Sequence, residues 1–442
     1  MTQTEGVVAA PARPFKRGAV WLAVLAPFFY LTYGAANWLA STRTDVPAVV
    51  FDWERAIPFL AWTIIPYWTI NAFYGLSLFL CRTVSELDAH GRRLLSAQFV
   101  AVAFFVLTPL RFTFEKPDTG GGLPGFLFAA LDGFDKPFNQ APSLHIALLV
   151  ILWDLYRRIL PRWALPILHG WSALIGVSVL TTYQHHFIDI PTGALLGVFC
   201  VWAFPLDGPS PLAAAAPATD PRRRRLALVY LASAAVVAAV ALLVDGWGLW
   251  LFWPTTSLAL VALAYGLLGP AAFAREPGGR LAWPTIALFL PYLVAARVNV
   301  HAWTHRDPSP VPIDDGVRLG RLPGPADASG PPGETIVDVA AEMDPPPGRS
   351  MVAVPMLDLV TPPPEALAVA ADAVEDARRS GPVLVACALG YSRSAATVAA
   401  WLLRTGRAPD AAAACALVRA RKPLTVLSPS VEAAIAAAGR MP

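Results

Sequence analysis

The sequence predicts a multi-span α-helical membrane domain followed by a C-terminal α/β domain. Three observations predict it. Of 442 residues, 56% are hydrophobic and only 15% charged, with a mean hydropathy of +0.51, a balance that soluble chains of this length rarely show. The apolar residues gather into runs of roughly 17–22, the length that crosses a bilayer as a helix. After about residue 300 those runs stop, and short β-branched stretches alternate with Ala-rich ones.

The apolar runs lie at about 19–40, 58–80, 96–112, 142–157, 163–182, 187–206, 226–244, 249–268 and 281–297. The first is too long for a signal-peptide core and is read as a retained span. The last is the weakest, with Pro284 and Pro291 inside it. Arginines and lysines occupy alternate connections: Arg13, Lys16 and Arg17; Arg82, Arg92 and Arg93; Arg157, Arg158 and Arg162; and Arg222 to Arg225. One N-in topology puts all of these on the cytoplasmic side. It puts the Gly- and Pro-rich connection 113–141 and the junction 183–187 outside. Eight spans leave the C-terminal domain in the cytoplasm and nine put it outside. Arg297 and Arg306 after the weak run lean to the cytoplasm.

These boundaries divide the chain into a tail (1–18), a six-helix membrane domain (19–206), a linker (207–225), further membrane helices (226–300) and the α/β domain (301–442). The expected location is the bacterial inner membrane. The lipid bilayer is therefore a partner, and a net charge of +3 gives no reason to propose nucleic acid. Cys81, Cys200, Cys387 and Cys415 are widely spaced and suggest neither a disulfide framework nor a zinc site.

The C-terminal domain shows strand-like TIVDVA (335–340), MVAVPML (351–357) and PVLVACA (382–388). The last runs into Cys387, then Ala388, Leu389, Gly390, Tyr391 and Ser392, then Arg393 and a helix starting near Ser394. Five residues between Cys and Arg let successive N–H groups curl toward one phosphate, and the helix N-terminus adds partial positive charge there. Arg393 can grip two phosphate oxygens. The same donors favour the thiolate of Cys387, the nucleophilic form. Gly390 permits the tight turn. This loop carries no cation besides Arg393, which favours a monoester over a polyphosphorylated inositol.

Residues 313–442 resemble the dual-specificity branch of the protein tyrosine phosphatase superfamily, whose signature is Cys-x5-Arg-Ser/Thr. The resemblance implies a phosphocysteine on Cys387, phosphoryl binding by Arg393, and thiolate departure eased by Ser394. It implies a general-acid Asp about thirty residues upstream, where Asp358 fits. Asp338 is the competitor and lies inside a strand-like run. Ala386 stands where the family usually has His, a departure that bears on rate rather than on chemistry. Cys415 reads as a core residue.

The membrane domain carries a second constellation. Pro142-Ser143-Leu144-His145 opens the fourth run, and His185-His186-Phe187-Ile188-Asp189 opens the sixth. His185 and Asp189 are four apart, share a helix face and can hydrogen-bond. A carboxylate on one imidazole nitrogen leaves the other as nucleophile or base. His145, at the same depth, can serve as general acid. His186 reads as a spacer or as a group that supports His185 from behind.

Residues 20–206 resemble the type 2 phosphatidic acid phosphatase superfamily, in particular its inositolphosphotransferase branch, which carries Pro-Ser-Leu-His. The resemblance implies a phosphohistidine on His185, oriented by Asp189, with His145 protonating the leaving group, Ser143 contacting phosphate, and no metal or other cofactor. Ser178 and Val179 occupy the superfamily's Ser-Arg positions, and its first motif is incomplete. Arg111, Lys116 and Lys136 are the candidate replacement cations.

The combined reading is a bifunctional membrane phosphatase, hydrolysing or transferring phosphoryl groups of phospholipid or lipid-phosphate substrates. Phosphoprotein is the alternative substrate for the C-terminal domain. The alternative architecture is a membrane-anchored protein phosphatase whose helices are a non-catalytic lipid-binding or sensor module.

Overall fold

A computed structural model describes residues 13–442 apart from 245, 277, 307, 325–326, 328–329 and 345–346. Most of the expected tail, residues 1–12, lies outside the described residues. The chain divides into two compact units, Met1–Ser210 with Val244–Leu249, and Pro211–Leu243 with Trp250–Pro442.

Unit 1 is helical: α1 (Phe15–Ser41), α2 (Ile64–Leu80), α3 (Val84–Leu107), α4 (Gly122–Asp132), α5 (Leu144–Ile159), α6 (Leu165–Thr181) and α7 (Asp189–Ala203). The first six apolar runs each become one helix. α4 rises inside the connection 113–141, where Gly and Pro masked a short apolar stretch that buries Phe128 and Leu131. α3 starts earlier than its run. The Thr83 hydroxyl caps it by accepting from the Glu86 N–H at 3.1 Å. Arg92 and Arg93, expected in a loop, are therefore helical. Arg93 is buried because Asp154 lies 2.9 Å from its Nη1 and the Phe204 carbonyl accepts from its Nε at 2.6 Å.

Gly193 and Gly197 bring α7 against α5. A Cβ at Gly193 would lie 2.4 Å from the Ser143 carbonyl oxygen, and one at Gly197 would lie 2.7 Å from that of Ala147. Small residues four apart permit such close backbone approach.

Unit 2 begins with α8 (Pro221–Val244), α9 (Phe252–Leu263) and α10 (Trp283–Thr304). α8 starts with Pro in its first turn, where a missing N–H does no harm. Arg222 to Arg225, expected at a linker's end, belong to that first turn. Next in the chain comes the α/β domain: β1 (Val311–Asp314), β2 (Val317–Arg321), β3 (Thr335–Ala340), β4 (Ser350–Met356), α11 (Pro364–Ser380), β5 (Val383–Cys387), α12 (Arg393–Arg404), α13 (Ala411–Arg421) and α14 (Pro429–Ala438).

The sheet order is β1-β2-β5-β3-β4, parallel except for β1. A parallel sheet must be covered on both faces. Val337, Val339, Val383, Val385 and Cys387 face a core completed by α11 to α14, where Cys415 is also buried. Ile336, Ala340, Leu384 and Ala386 face the other way, against Ala296 and Val300 of α10. The weakest apolar run thus supplies the sheet's second cover.

Among the described residues, five helical stretches are long and apolar enough to cross a membrane: Phe15–Ser41, Arg162–Thr181, Pro221–Val244, Gly246–Ala272 and Trp283–Thr304. α2, α5 and α7 have 17, 16 and 15 residues. Fifteen residues reach about 22 Å at 1.5 Å per residue, short of a hydrocarbon core about 30 Å thick.

Candidate active site

β5 delivers Cys387 to the carboxyl edge of the sheet, and α12 begins six residues later at Arg393. The intervening turn closes on the sulfur. The Gly390 N–H points at Cys387 Sγ at 3.3 Å, and Ser394 Oγ lies 3.2 Å from it. Gly390 sits at φ +78°, and a Cβ there would lie 2.5 to 2.8 Å from the backbone of Gly320 and Arg321. Only glycine fits that place. The loop is pinned from outside by the Leu322 N–H to the Cys387 carbonyl (2.8 Å) and the Val426 N–H to the Tyr391 carbonyl (2.7 Å).

Arg393 is buried at 1% exposure. Its Nη1 donates to Glu342 Oε2 at 2.8 Å and to the Met356 carbonyl at 2.9 Å. Its Nη2 donates to Glu342 Oε1 at 2.6 Å and lies 3.2 Å from Asp358 Oδ1. Its Nε is buried and makes no hydrogen bond among the described residues, leaving a donor for an oxyanion. Burial pushes the Glu342 carboxyl up, but the guanidinium beside it outweighs burial and holds it below the usual range. Burial by itself would lower Arg393, yet Glu342 and Asp358 keep it well above its ordinary value.

Glu342 is a residue the sequence reading missed. Its one signal was position, two residues beyond the carboxyl end of a buried parallel strand, where open α/β sheets place their ligands. Asp338, the competitor to Asp358, is fully buried in β3. It bonds the Ala340 N–H at 2.8 Å and lies 3.2 Å from Arg275. Asp358 is the aspartate brought to Arg393.

Cys387, Arg393, Glu342 and Asp358 line one cavity of about 880 Å³. Tyr391 and Ser392 of the loop line it as well. Its other wall is helical: Tyr230 of α8, Pro254 and Leu258 of α9, Tyr265 just beyond, and Tyr292, Asn299 and Trp303 of α10. Most of that lining is apolar. Tyr230 stacks on Tyr265 at 5.5 Å and meets Tyr292 edge-on at 6.1 Å.

In unit 1, the α5–α7 contact brings the two histidine motifs together. His185 Nδ1 lies 3.0 Å from Asp189 Oδ2, and its Nε2 lies 3.3 Å from Ser143 Oγ. Ser143 also caps α5 and donates its N–H to the Asp189 carbonyl at 3.1 Å. His145 stacks on Tyr67 at 4.0 Å, with its Nε2 buried and unbonded among the described residues. His185 and His145 both line a small cavity of about 70 Å³ with Asp135 and Asn139. His185 also lines a neighbouring one of about 230 Å³ with Lys116 and Lys136.

Arg111 is exposed and does not line these two cavities; its backbone N–H donates to the Pro47 carbonyl at 2.9 Å, and the next residue, Phe112, stacks on His186. Lys116 is paired with Asp132 at 2.7 Å. His186 supports the site from behind, the second of its two readings: its Nδ1 lies 2.9 Å from Glu54 Oε2 and its Nε2 3.1 Å from the Thr113 hydroxyl. Glu54 and Asp135 were not foreseen: Glu54 comes from a connection 132 positions before His186, and Asp135, although beside Lys136, belongs to no motif.

Fold and loop together define a class: an α/β domain with a cysteine and an arginine around one phosphate-sized turn. Residues 334–438 match the dual specificity phosphatase catalytic domain. The match supports a phosphatase hydrolase in this part of the chain. Solved structures are similar to part of this chain, two of them as follows. "Crystal structure of Tk-PTP in the active form" is 21% identical, covering 30% of this chain and 99% of that one, with a TM-score of 0.26. Human DUSP28 is 22% identical, covering 29% and 90%, with a TM-score of 0.23. No curated protein matches the chain.

Proposed function

We propose that unit 2 is a cysteine-dependent phosphomonoesterase whose substrate is a lipid phosphate presented by a bilayer. The observation that carries this reading is the cavity over Cys387. Half its wall comes from helices apolar enough to lie in a membrane. Phosphate belongs at the polar turn, and an apolar tail belongs against Pro254, Leu258 and Trp303. Cavities of this size and lining suit lipid-like ligands anchored by a few polar groups.

In this mechanism the Cys387 thiolate attacks phosphorus. An S–P bond forms as the P–O bond to the leaving alcohol breaks, and Asp358 gives that oxygen its proton. Arg393 and the loop amides hold the non-bridging oxygens. Water then attacks phosphorus, losing a proton to Asp358. The S–P bond breaks, and Ser394 stabilises the departing thiolate while inorganic phosphate leaves. Arg297 and Arg306 beyond the last run favour eight spans, with the domain cytoplasmic.

The test compares a long-chain lipid phosphate in mixed micelles with a phosphopeptide and with p-nitrophenyl phosphate. Leu258→Trp, which fills the cavity, should raise KM for the lipid and spare p-nitrophenyl phosphate. Faster turnover of the phosphopeptide, unaffected by Leu258→Trp, would leave the protein-phosphatase reading instead.

A second reading concerns unit 1. The His185–Asp189 pair beside Ser143, with His145 on a shared cavity, supports a phosphoryl-transfer site of the type 2 phosphatidic acid phosphatase kind. Lys116 and Lys136 are its nearest cations. His185→Ala and Cys387→Ser, assayed separately, distinguish the sites. If His185→Ala changes no lipid-phosphate activity, unit 1 is a non-catalytic lipid-binding or sensor module.

A further inference from the structure

The helix that walls the cavity also touches the acid loop. Tyr265 is 2% exposed and donates its hydroxyl proton to the backbone carbonyl of Asp358 at 3.0 Å. The next residue, Leu359, sits at φ +60°, a left-handed conformation that an L side chain resists. A loop in that state persists only where its surroundings hold it. Arg393 holds it from the sheet side, through the Met356 carbonyl and the Asp358 carboxylate. Tyr265 holds it from the helical side.

The backbone of α9 is irregular where it presents this tyrosine. Residues Ala264–Leu268 form a π-turn, with the Gly269 N–H reaching the Ala264 carbonyl. Such a turn inserts a residue and rotates the rest of the helix, and it recurs at functional sites. Arg223 of α8 supports the irregular stretch, donating from Nε to the Tyr265 carbonyl at 3.1 Å. An arginine that the sequence reads as a topology anchor therefore braces the turn that aims Tyr265.

We propose that Tyr265 is a positioning residue that fixes the Asp358 loop in its acid-competent conformation, so that proton donation depends on the α8–α9 pair. The inference rests on the phosphomonoesterase reading above. Its signature is leaving-group dependence. An alkoxide must be protonated as it leaves, whereas p-nitrophenolate leaves without help.

Full-length Tyr265→Phe deletes only the hydroxyl. It should lower kcat/KM, which reports formation of the phosphocysteine, on an alkyl phosphate about tenfold or more, a part of the roughly 10²–10⁴-fold that positioned proton transfer supplies. On p-nitrophenyl phosphate it should change kcat/KM less than about twofold, and the alkyl-phosphate kcat/KM profile should lose its basic limb. Added to Asp358→Asn it should cause no further loss. Thr256→Ala, on the same helix with its hydroxyl donating to the Phe252 carbonyl at 2.8 Å, should leave both activities unchanged. An equal fall on both substrates, no fall on either, or additivity with Asp358→Asn overturns the inference. Cys387→Ser in the same assays must abolish both activities. If it does not, the phosphomonoesterase reading fails and takes this inference with it.

Discussion

Glu342→Gln tests how the phosphate-binding arginine is held. In the wild type both Nη atoms of Arg393 bond a carboxylate, at 2.6 and 2.8 Å, with Glu342 4% and Arg393 1% exposed. The variant keeps the shape and one acceptor but removes the charge. Breaking a buried pair costs about 3–5 kcal/mol, and a retained hydrogen bond to a charged group returns about 1.5–3. The net loss is about 2 kcal/mol without ligand, or roughly a 30-fold fall in hydrogen-exchange protection of the β5–α12 amides. Vanadate supplies the missing anion. In the wild type the oxyanion shares a guanidinium that already has two carboxylate partners, whereas in the variant it replaces the one removed and leaves Asp358 as the other. Vanadate should therefore raise protection more in Glu342→Gln than in the wild type. Equal or smaller vanadate protection in a variant that still binds vanadate refutes the reasoning.

Three further outcomes are expected. Gly390→Ala should lower kcat/KM roughly a hundredfold, since a loop shifted by about 1 Å loses near-attack geometry, and circular dichroism should show the fold retained. Asp338 is raised from 3.8 to about 7 by burial, which outweighs Arg275 beside it. The folded state therefore holds the proton more tightly. This contribution to stability is full below pH 3.8 and is lost as pH rises through 7. Relative to Asp338→Asn, the wild type should lose about 2–3 kcal/mol of stability between pH 5 and pH 8, measured by exchange protection of β3. Finally, Ser309→Cys in a cysteine-free background should resist an impermeant thiol reagent in intact cells and react in inverted vesicles. Labelling in intact cells would place the domain outside.

Much of this was legible in the chain because it rests on local pattern. Apolar runs fold into helices whatever surrounds them, since each satisfies its own backbone hydrogen bonds. The phosphate turn was legible because strand, Cys-x5-Arg and helix are contiguous, so spacing alone dictates curvature. Asp358 came from the family resemblance, which implies an aspartate on a loop after a strand about thirty residues before the cysteine. Partners that arrive from elsewhere were not legible. Glu342, 51 positions from Arg393, Glu54, 132 from His186, and Tyr265, 93 from Asp358, leave no mark at any fixed spacing. The ninth run reads two ways for a related reason. An apolar helix that covers a parallel sheet and one that crosses a bilayer bury similar side chains, so composition does not separate them.

By itself the sequence determined where helices form, where the sheet begins and which turn carries a nucleophilic sulfur. Each of these is set by residues adjacent in the chain. Tertiary structure decided what faces that sulfur: a carboxylate that orients the arginine, a tyrosine on the acid loop and an apolar wall over the phosphate turn. These depend on long-range packing, which settles only when distant surfaces must bury one another.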